Sequence, residues 1–173
     1  TGFVLFLPLV LCAAGSRDFV LPQEAEGPVP RYSLENVEHF HYEQGDLRVK
    51  VTFEHGDFFA EAGELRVEKC RFVYYDSSGE TLSRGSSERA VLFQDSSRLE
   101  AYRDVVIVSE ANGATLRTEY LVWEGEESHF TTDEEVVITR ENGDILQGVG
   151  MVADVALNVV TIQRNVHGRI RPE

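Results

Sequence analysis

The chain has 173 residues, of which 42% are hydrophobic and 10% aromatic, and its formal net charge is −14. This length suits one domain with a buried core, and the apolar content is too high for a disordered acidic tail. The 30 acidic residues outnumber the 16 basic ones and are spread along the chain. They predict a surface that repels nucleic-acid phosphates, so nucleic acid is not expected as a partner.

The N-terminal segment, residues 3–14, is apolar and uncharged, with the sequence FVLFLPLVLCAA. It is shorter than the about 20 residues that a membrane-spanning helix needs and is typical of the hydrophobic region of a signal peptide. Three outcomes are open: cleavage before Ser16, lipidation of Cys12 at a lipobox-like LVLC sequence, or an uncleaved anchor. Residues 1–15 are therefore predicted to be a signal peptide or membrane anchor. Residues 16–30 contain three prolines and several acids, which predicts a linker.

From residue 31 to residue 173 the sequence repeats itself every 30–35 residues. A glycine and then a leucine follow each of the first four repeated runs. A fixed period in this range indicates stacked supersecondary units within one domain. The second residues of the five runs are Val37, Cys70, Val105, Val136 and Val166.

Each repeat is a β unit, because its apolar residues alternate with a period of two, as in Val105 and Ile107. Asn112-Gly113 and Asn142-Gly143 supply tight hairpin turns, and no amphipathic helix of useful length is present. The sequence therefore predicts an all-β fold, in which about two strands per repeat form a single curled antiparallel sheet. Its two open edges are expected near residues 32–41 and 159–169.

The same alternation predicts which side chains face the interior of the sheet. The pattern alone leaves open whether that interior is a dry core or a groove that can be filled. Trp123 is expected to pack in the core rather than to contact a ligand. The residues predicted to line the interior are Phe72, Val105, Ile107, Val136 and Ile138, with Val37 and Val166 near its two ends.

The sequence predicts no catalytic residue, no metal and no cofactor. His39 and His41 share a strand face, but no third ligand stands at a recognisable spacing. Glu124 and its acidic neighbours fit a solvated turn better than an acid/base pair. Cys70 has no activating partner in the sequence and is expected to be a small core residue. No phosphate-binding or serine-hydrolase motif is present.

Residues 99–168 carry a resemblance to a known family. The stretch repeats a V-x-I strand, an Asn-Gly turn and a leucine. DILQGVG at residues 144–150, followed by Asp154, resembles the family pattern "G…L.G.G…D", and FTTDEEVVI at residues 130–138 is also similar. On these motifs the chain resembles the LptC family of the OstA-like group. The resemblance extends loosely over nearly the whole chain, and the soluble bridge protein LptA shares the same repeats.

The resemblance implies a β-jellyroll whose apolar interior carries lipopolysaccharide or a related glycolipid in the periplasm, on a protein tethered to the inner membrane. The lipid would come from the permease subunits of an inner-membrane ABC transporter. The seven interior residues would then be lipid-binding. An LptA-like periplasmic protein would receive the lipid by adding a strand to the C-terminal edge. The residues of that edge are Val160, Ile162, Arg164 and Val166.

Three alternatives stay open from the sequence. The chain could be a soluble LptA-like bridge protein, an exported β-repeat adhesion lipoprotein, or a β-solenoid enzyme that acts on polysaccharide. An open apolar cleft long enough for an acyl chain would separate the first of these from the other two.

Overall fold

The computed structural model describes residues 28–125 and 129–170, and within them all regular secondary structure is β-strand. The all-β prediction is therefore confirmed, and the predicted edges correspond to the first and last strands. The strands are β1 (Tyr32–Glu43), β2 (Asp46–Phe59), β3 (Glu64–Tyr75), β4 (Thr81–Phe93), β5 (Arg98–Ser109), β6 (Thr115–Glu124), β7 (His129–Thr139), β8 (Ile145–Asp154) and β9 (Val160–Arg169).

The strands lie side by side in the order in which they occur along the chain. All nine belong to one antiparallel sheet, ordered β1-β2-β3-β4-β5-β6-β7-β8-β9. Within the described residues β1 pairs with β2 alone and β9 with β8 alone. The sheet is therefore not closed, and it has the two edges that the repeat pattern predicted.

The sequence repeat corresponds to an irregularity in the middle of each odd-numbered strand. In four of these strands, the residue before the repeated valine or cysteine has a positive φ. In β7 the register shifts between Thr132 and Glu135, just before Val136. Such bulges bend a strand and increase its twist, which allows a long sheet to curl. The four residues with positive φ are Asn36, Lys69, Asp104 and Asn165.

Contacts between strands that are not neighbours show that the sheet rolls over on itself. The rings of Phe72 in β3 and Phe130 in β7 have centroids 6.1 Å apart, and those of Tyr74 in β3 and Trp123 in β6 are also 6.1 Å apart. His41 in β1 contacts Trp123 edge-on at 5.9 Å. The inner faces of the curled sheet, called the roll below, therefore meet around one apolar core.

Gly85 permits the closest packing in this core. It lies opposite Phe72 across the β3–β4 pair, and a Cβ atom built on it would lie only 2.1 Å from the Cζ atom of the Phe72 ring. The ring therefore covers the bare glycine backbone, a position that no larger residue can occupy without displacing the ring.

Candidate functional site

The middle of the roll is a closed apolar core. The five residues predicted to line it, Phe72, Val105, Ile107, Val136 and Ile138, are at most 4% exposed, so their inward orientation is confirmed. The gap left beside the Phe72 ring has a volume of only 10 Å³, about the space of one water molecule. In this state the middle of the roll has no room for an acyl chain.

A wide opening lies at the N-terminal end of the roll, and we call it the N-terminal opening. Its volume is 760 Å³, within the range of about 300–1,000 Å³ that is usual for small-molecule sites. Polar side chains of the β4–β5 connection stand at its rim, with His39 and His41. Its apolar floor is formed by Leu34, Val37, Val49, Val51, Phe53, Leu65, Leu92, Leu99 and Trp123.

The rim of the N-terminal opening is polar, but Arg98, which lies there, is already paired. Arg98 places Nη2 2.6 Å from Oε1 of Glu100 and Nη1 3.5 Å from Oε1 of Glu124. Partial burial and the neighbouring His41 lower the pKa of His39 below its ordinary value, which favours its neutral form. The opening is therefore better suited to an apolar chain than to a phosphate group.

Trp123 lies where the N-terminal opening meets the closed middle. Its side chain is 8% exposed and belongs to the core, as the sequence predicted, yet it also lines the opening. Its Nε1–H donor is buried and has no acceptor within the described residues. An unpaired buried donor costs about 1–3 kcal/mol.

A second opening, the C-terminal opening, lies at the other end of the roll. It has a volume of 520 Å³ and lies beside the β5–β6, β7–β8 and β8–β9 connections. Ile138 and Val160, two of the predicted site residues, both line it. Among the described residues its lining is Asn112, Ala114, Ile138, Arg140, Leu146, Leu157, Asn158, Val159 and Val160.

The predicted partner edge is divided between the core and the solvent. Val160 and Ile162 are half-buried and pack against the core, whereas Arg164 and Val166 are exposed. Val166 is 52% exposed, so the structure does not bring it together with the buried interior residues. Val37, at the opposite end, does line an opening.

Two features of the site were not predicted from the sequence. One is the floor of the N-terminal opening, to which β1 contributes Leu34 and β4 contributes Leu92. The other is the β8–β9 connection, where the consecutive residues Val155, Ala156 and Leu157 are buried. An apolar run placed between two strands was the available signal for the second feature.

The described residues give no support for a metal or thiol site. They contain no group of three or more potential ligands that could hold a metal ion. Cys70 is buried and free, and burial raises the pKa of its thiol to about 12, which keeps it protonated and unreactive. The lipidation candidate Cys12 lies outside the described residues. No helix in the described part of the chain is long and apolar enough to cross a membrane.

Comparison with protein families gives a match over nearly all of the chain. The family model described as "Lipopolysaccharide-assembly, LptC-related" matches residues 4–171, which is nearly the whole chain. A search of curated proteins found no match.

Proposed function

Because the chain belongs to the LptC-related lipopolysaccharide-assembly family, it is a component of the lipopolysaccharide transport bridge, and we propose that its roll holds the acyl chains of the lipid. The family is a periplasmic-facing group of transport proteins that bind lipopolysaccharide and interact with other Lpt components, and it is not known for catalysis. The proposal concerns what the family leaves open: where in this chain the lipid binds, which residues contact it, and how it is passed on.

The observation that carries the proposal is the N-terminal opening. Its floor is apolar, its rim is polar, and its arginine is already neutralised. Each CH₂ group of an acyl chain contributes about 0.8 kcal/mol when it is buried, so such a floor binds lipid without any reactive group. The 760 Å³ opening leads to the closed middle, where Phe72 and Ile107 would have to separate to admit more of the chain.

The proposed route of the lipid runs from the permease subunits of an inner-membrane ABC transporter to an LptA-like periplasmic protein. The exposed edge of β9 supports the second step, because an unpaired strand offers backbone donors and acceptors for strand addition. Arg164 and Val166 stand exposed on that strand. A partner strand on β9 would extend the sheet and bring the two apolar interiors into line.

Residues 1–15 are proposed to tether the protein to the inner membrane, either as an anchor or through a lipid on Cys12. Residues 16–30 would act as the linker between this tether and the β domain. Both proposals rest on composition, because almost all of these residues lie outside the described part of the chain. Mass spectrometry of the protein from membranes would distinguish an acylated Cys12 from an intact anchor.

Photo-crosslinking tests the lipid site. A photoreactive amino acid placed at Val37 should crosslink to labelled lipopolysaccharide in cells, and one placed at the neighbouring, exposed Glu38 should not. A charge on the inner face should block loading, because burying an unpaired charge is costly. Ile138→Asp is therefore expected to lose most of the crosslink from a photoreactive amino acid placed at Val160, which lines the same opening as Ile138.

Val137→Asp is the matched control for Ile138→Asp, since the side chain of Val137 points to the outer face of the same strand. Circular dichroism must first show that both variants are folded. A folded Ile138→Asp protein that crosslinks lipid as well as Val137→Asp does would overturn the assignment of the roll interior as the lipid site.

A further inference from the structure

Residues 155–159, which connect β8 to β9, fold into the end of the roll, and we call them the plug loop. Val155, Ala156 and Leu157 are only 4–7% exposed, and Val155 and Leu157 belong to the hydrophobic core. Most hairpin connections are polar and lie on the surface. This loop instead forms part of the wall of the C-terminal opening.

Two polar side chains of the β5–β6 hairpin hold the plug loop in place. The hydroxyl of Ser109 donates a buried hydrogen bond of 2.6 Å to the carbonyl of Ala156. The side-chain amide of Asn112 donates to the carbonyl of Leu157 at 3.2 Å and to Oδ1 of Asn158 at 3.1 Å. These bonds join parts of the chain that are more than 40 residues apart, so they fix the loop against the opposite wall of the roll.

The backbone of the plug loop is strained at its centre. Leu157 has a φ of +53°, a left-handed conformation that costs a residue with a Cβ atom roughly 1–2 kcal/mol. The loop therefore keeps this conformation only while burial of the leucine and the bonds from Ser109 and Asn112 compensate for the strain. Losing one of these bonds should shift the loop measurably towards an open state.

We propose that the plug loop separates the C-terminal opening from the packed middle, and that Ser109 and Asn112 set how readily an acyl chain leaves the roll at the β9 end. This inference rests on the proposed function, because it concerns the exit of the same lipid. The location supports it: Val159 and Val160 line the opening, and Val160 is the first residue of β9, the strand proposed to receive the partner. Ser109 and Asn112 act through the loop and are positioning residues.

The chain contains a matched control for Asn112 in its second Asn-Gly turn. In both turns the asparagine Oδ1 accepts a hydrogen bond of 3.0 Å from the backbone N–H two residues later. The amide of Asn142, however, donates to Asp144 in its own turn rather than to the plug loop. Replacing asparagine by aspartate keeps the Oδ1 acceptor and removes the amide donor. At position 142 the new carboxylate also repels that of Asp144, but this effect stays within its own turn, so only Asn112→Asp should release the loop.

Ser109 has a matched control as well. Ser83 lies directly opposite it across the β4–β5 pair and is equally buried, but its hydroxyl has no hydrogen-bond partner within the described residues. Ser109→Ala should therefore loosen the plug loop, and Ser83→Ala should not. If Asn112→Asp fails to fold, Ser109→Ala and its control Ser83→Ala still test whether the β5–β6 hairpin holds the plug loop.

The experiment measures loop opening and lipid release on the same full-length proteins. Hydrogen exchange at the amides of Leu157 and Val159 reports opening, because both amides donate to Asp154 at the end of β8 while the loop is closed. Dissociation of fluorescent lipopolysaccharide, chased with an excess of unlabelled lipid, reports release. We expect Asn112→Asp and Ser109→Ala to speed both processes roughly threefold to tenfold, the effect of losing about one hydrogen bond. Asn142→Asp and Ser83→Ala should match the unaltered chain.

Three results would overturn the inference in different ways. Faster exchange in the loop with unchanged lipid dissociation would show that the loop is not on the exit path, and the proposed function would still stand. Unchanged exchange at Leu157 and Val159 would show that Ser109 and Asn112 do not hold the loop. If the unaltered chain binds no lipopolysaccharide at all, the proposed function fails and this inference fails with it.

Discussion

The packed middle of the roll and its two end strands are parts of one sheet, yet they differ in how far their side chains are buried and in how much free volume they leave. In the middle, Phe72 and Ile107 are at most 4% exposed and leave almost no free volume. In the end strands, Tyr42 of β1 is 59% exposed and Val166 of β9 is 52% exposed. The comparison indicates that stability and function are separated along the sheet. The middle holds the fold together, and the ends supply the openings and the unpaired edges.

The largest difference in stability between the middle and the ends is expected from a pair of glycine substitutions. Gly85→Ala should lower the free energy of unfolding by about 1–3 kcal/mol, since its methyl group would overlap the Phe72 ring in a core that cannot expand freely. Gly168→Ala in β9 should change it by less than about 0.5 kcal/mol, because the nearest atom, Cδ1 of Leu146, is 3.8 Å from the new methyl group. Urea denaturation measures both values.

Adding Phe72→Leu to Gly85→Ala gives the control for this interpretation. The smaller side chain should remove the overlap and make the double variant more stable than the sum of the two single changes predicts. Equal losses for Gly85→Ala and Gly168→Ala would contradict the proposed difference between the middle and the ends.

A smaller effect is expected from single prolines in β9. Successive N–H groups of an antiparallel strand point alternately to the two sides, so of Ile162 and Gln163 one faces β8 and the other faces the free edge. A proline removes that N–H group. The proline at the position facing β8 should lower the free energy of unfolding by about 0.5–1.5 kcal/mol. The proline at the position facing the free edge should leave that free energy unchanged and weaken the binding of an LptA-like partner.

Hydrogen exchange identifies which of the two prolines disturbs the β8–β9 pair, and a pull-down with the partner measures docking. Normal partner affinity in both variants would exclude the β9 edge as the docking site. The N-terminal edge of the sheet, at β1, would then become the candidate.

The smallest expected effect is the pH dependence of the β1 end. Burial lowers the pKa of His39 below its ordinary value of 6.5, so the unfolded chain takes up a proton more readily than the folded one. The stability of a fold that holds His39 neutral is therefore fully present above pH 6.5. It is lost as the pH falls through 6.5 towards the lowered pKa, because protonation of His39 favours the unfolded chain. His39→Gln should remove this loss, as measured by thermal unfolding between pH 5 and 7.5.

His55 in β2 offers the opposite sign and serves as the control. Hydrogen bonds to Glu35 and Asp57 raise its pKa, so its contribution is present below pH 6.5 and is lost as the pH rises through the raised pKa. NMR titration of the two imidazoles should show His39 titrating below His55. The reverse order would contradict both assignments.

The sequence predicted the architecture well, because strand formation leaves a period that can be seen in one sequence. The alternation of Val105 with Ile107 and of Val136 with Ile138 correctly placed these side chains inside, and the repeat correctly predicted two open edges. The physical nature of the repeat was not foreseen. The repeated valines and cysteine lie next to bulges in the strands. A lysine or aspartate, such as Lys69 or Asp104, gives no indication in the sequence that its backbone will adopt a positive φ.

The candidate site was only partly predictable. Which interior residues face free volume depends on how far the sheet curls, and the curl is the sum of the twist and the bulges of nine strands, so no single run of the sequence sets it. For this reason Ile138 and Ile107 looked equivalent in the sequence, although only Ile138 lines an opening. Asn112 was correctly assigned to a turn, but its bonds to the plug loop join residues that are 45 positions apart and leave no mark in a single sequence.

The strictly sequential order of the strands has a consequence for how the protein is assembled. Each strand pairs with the strand just before it, so each pairing closes only a short loop and costs little chain entropy. The sheet can therefore grow one hairpin at a time, as in repeat proteins whose units contact only their neighbours. When the chain emerges with its N-terminus first, β9 is the last strand to be laid down. The proposed docking edge would then be completed last, after the eight strands beneath it are in place.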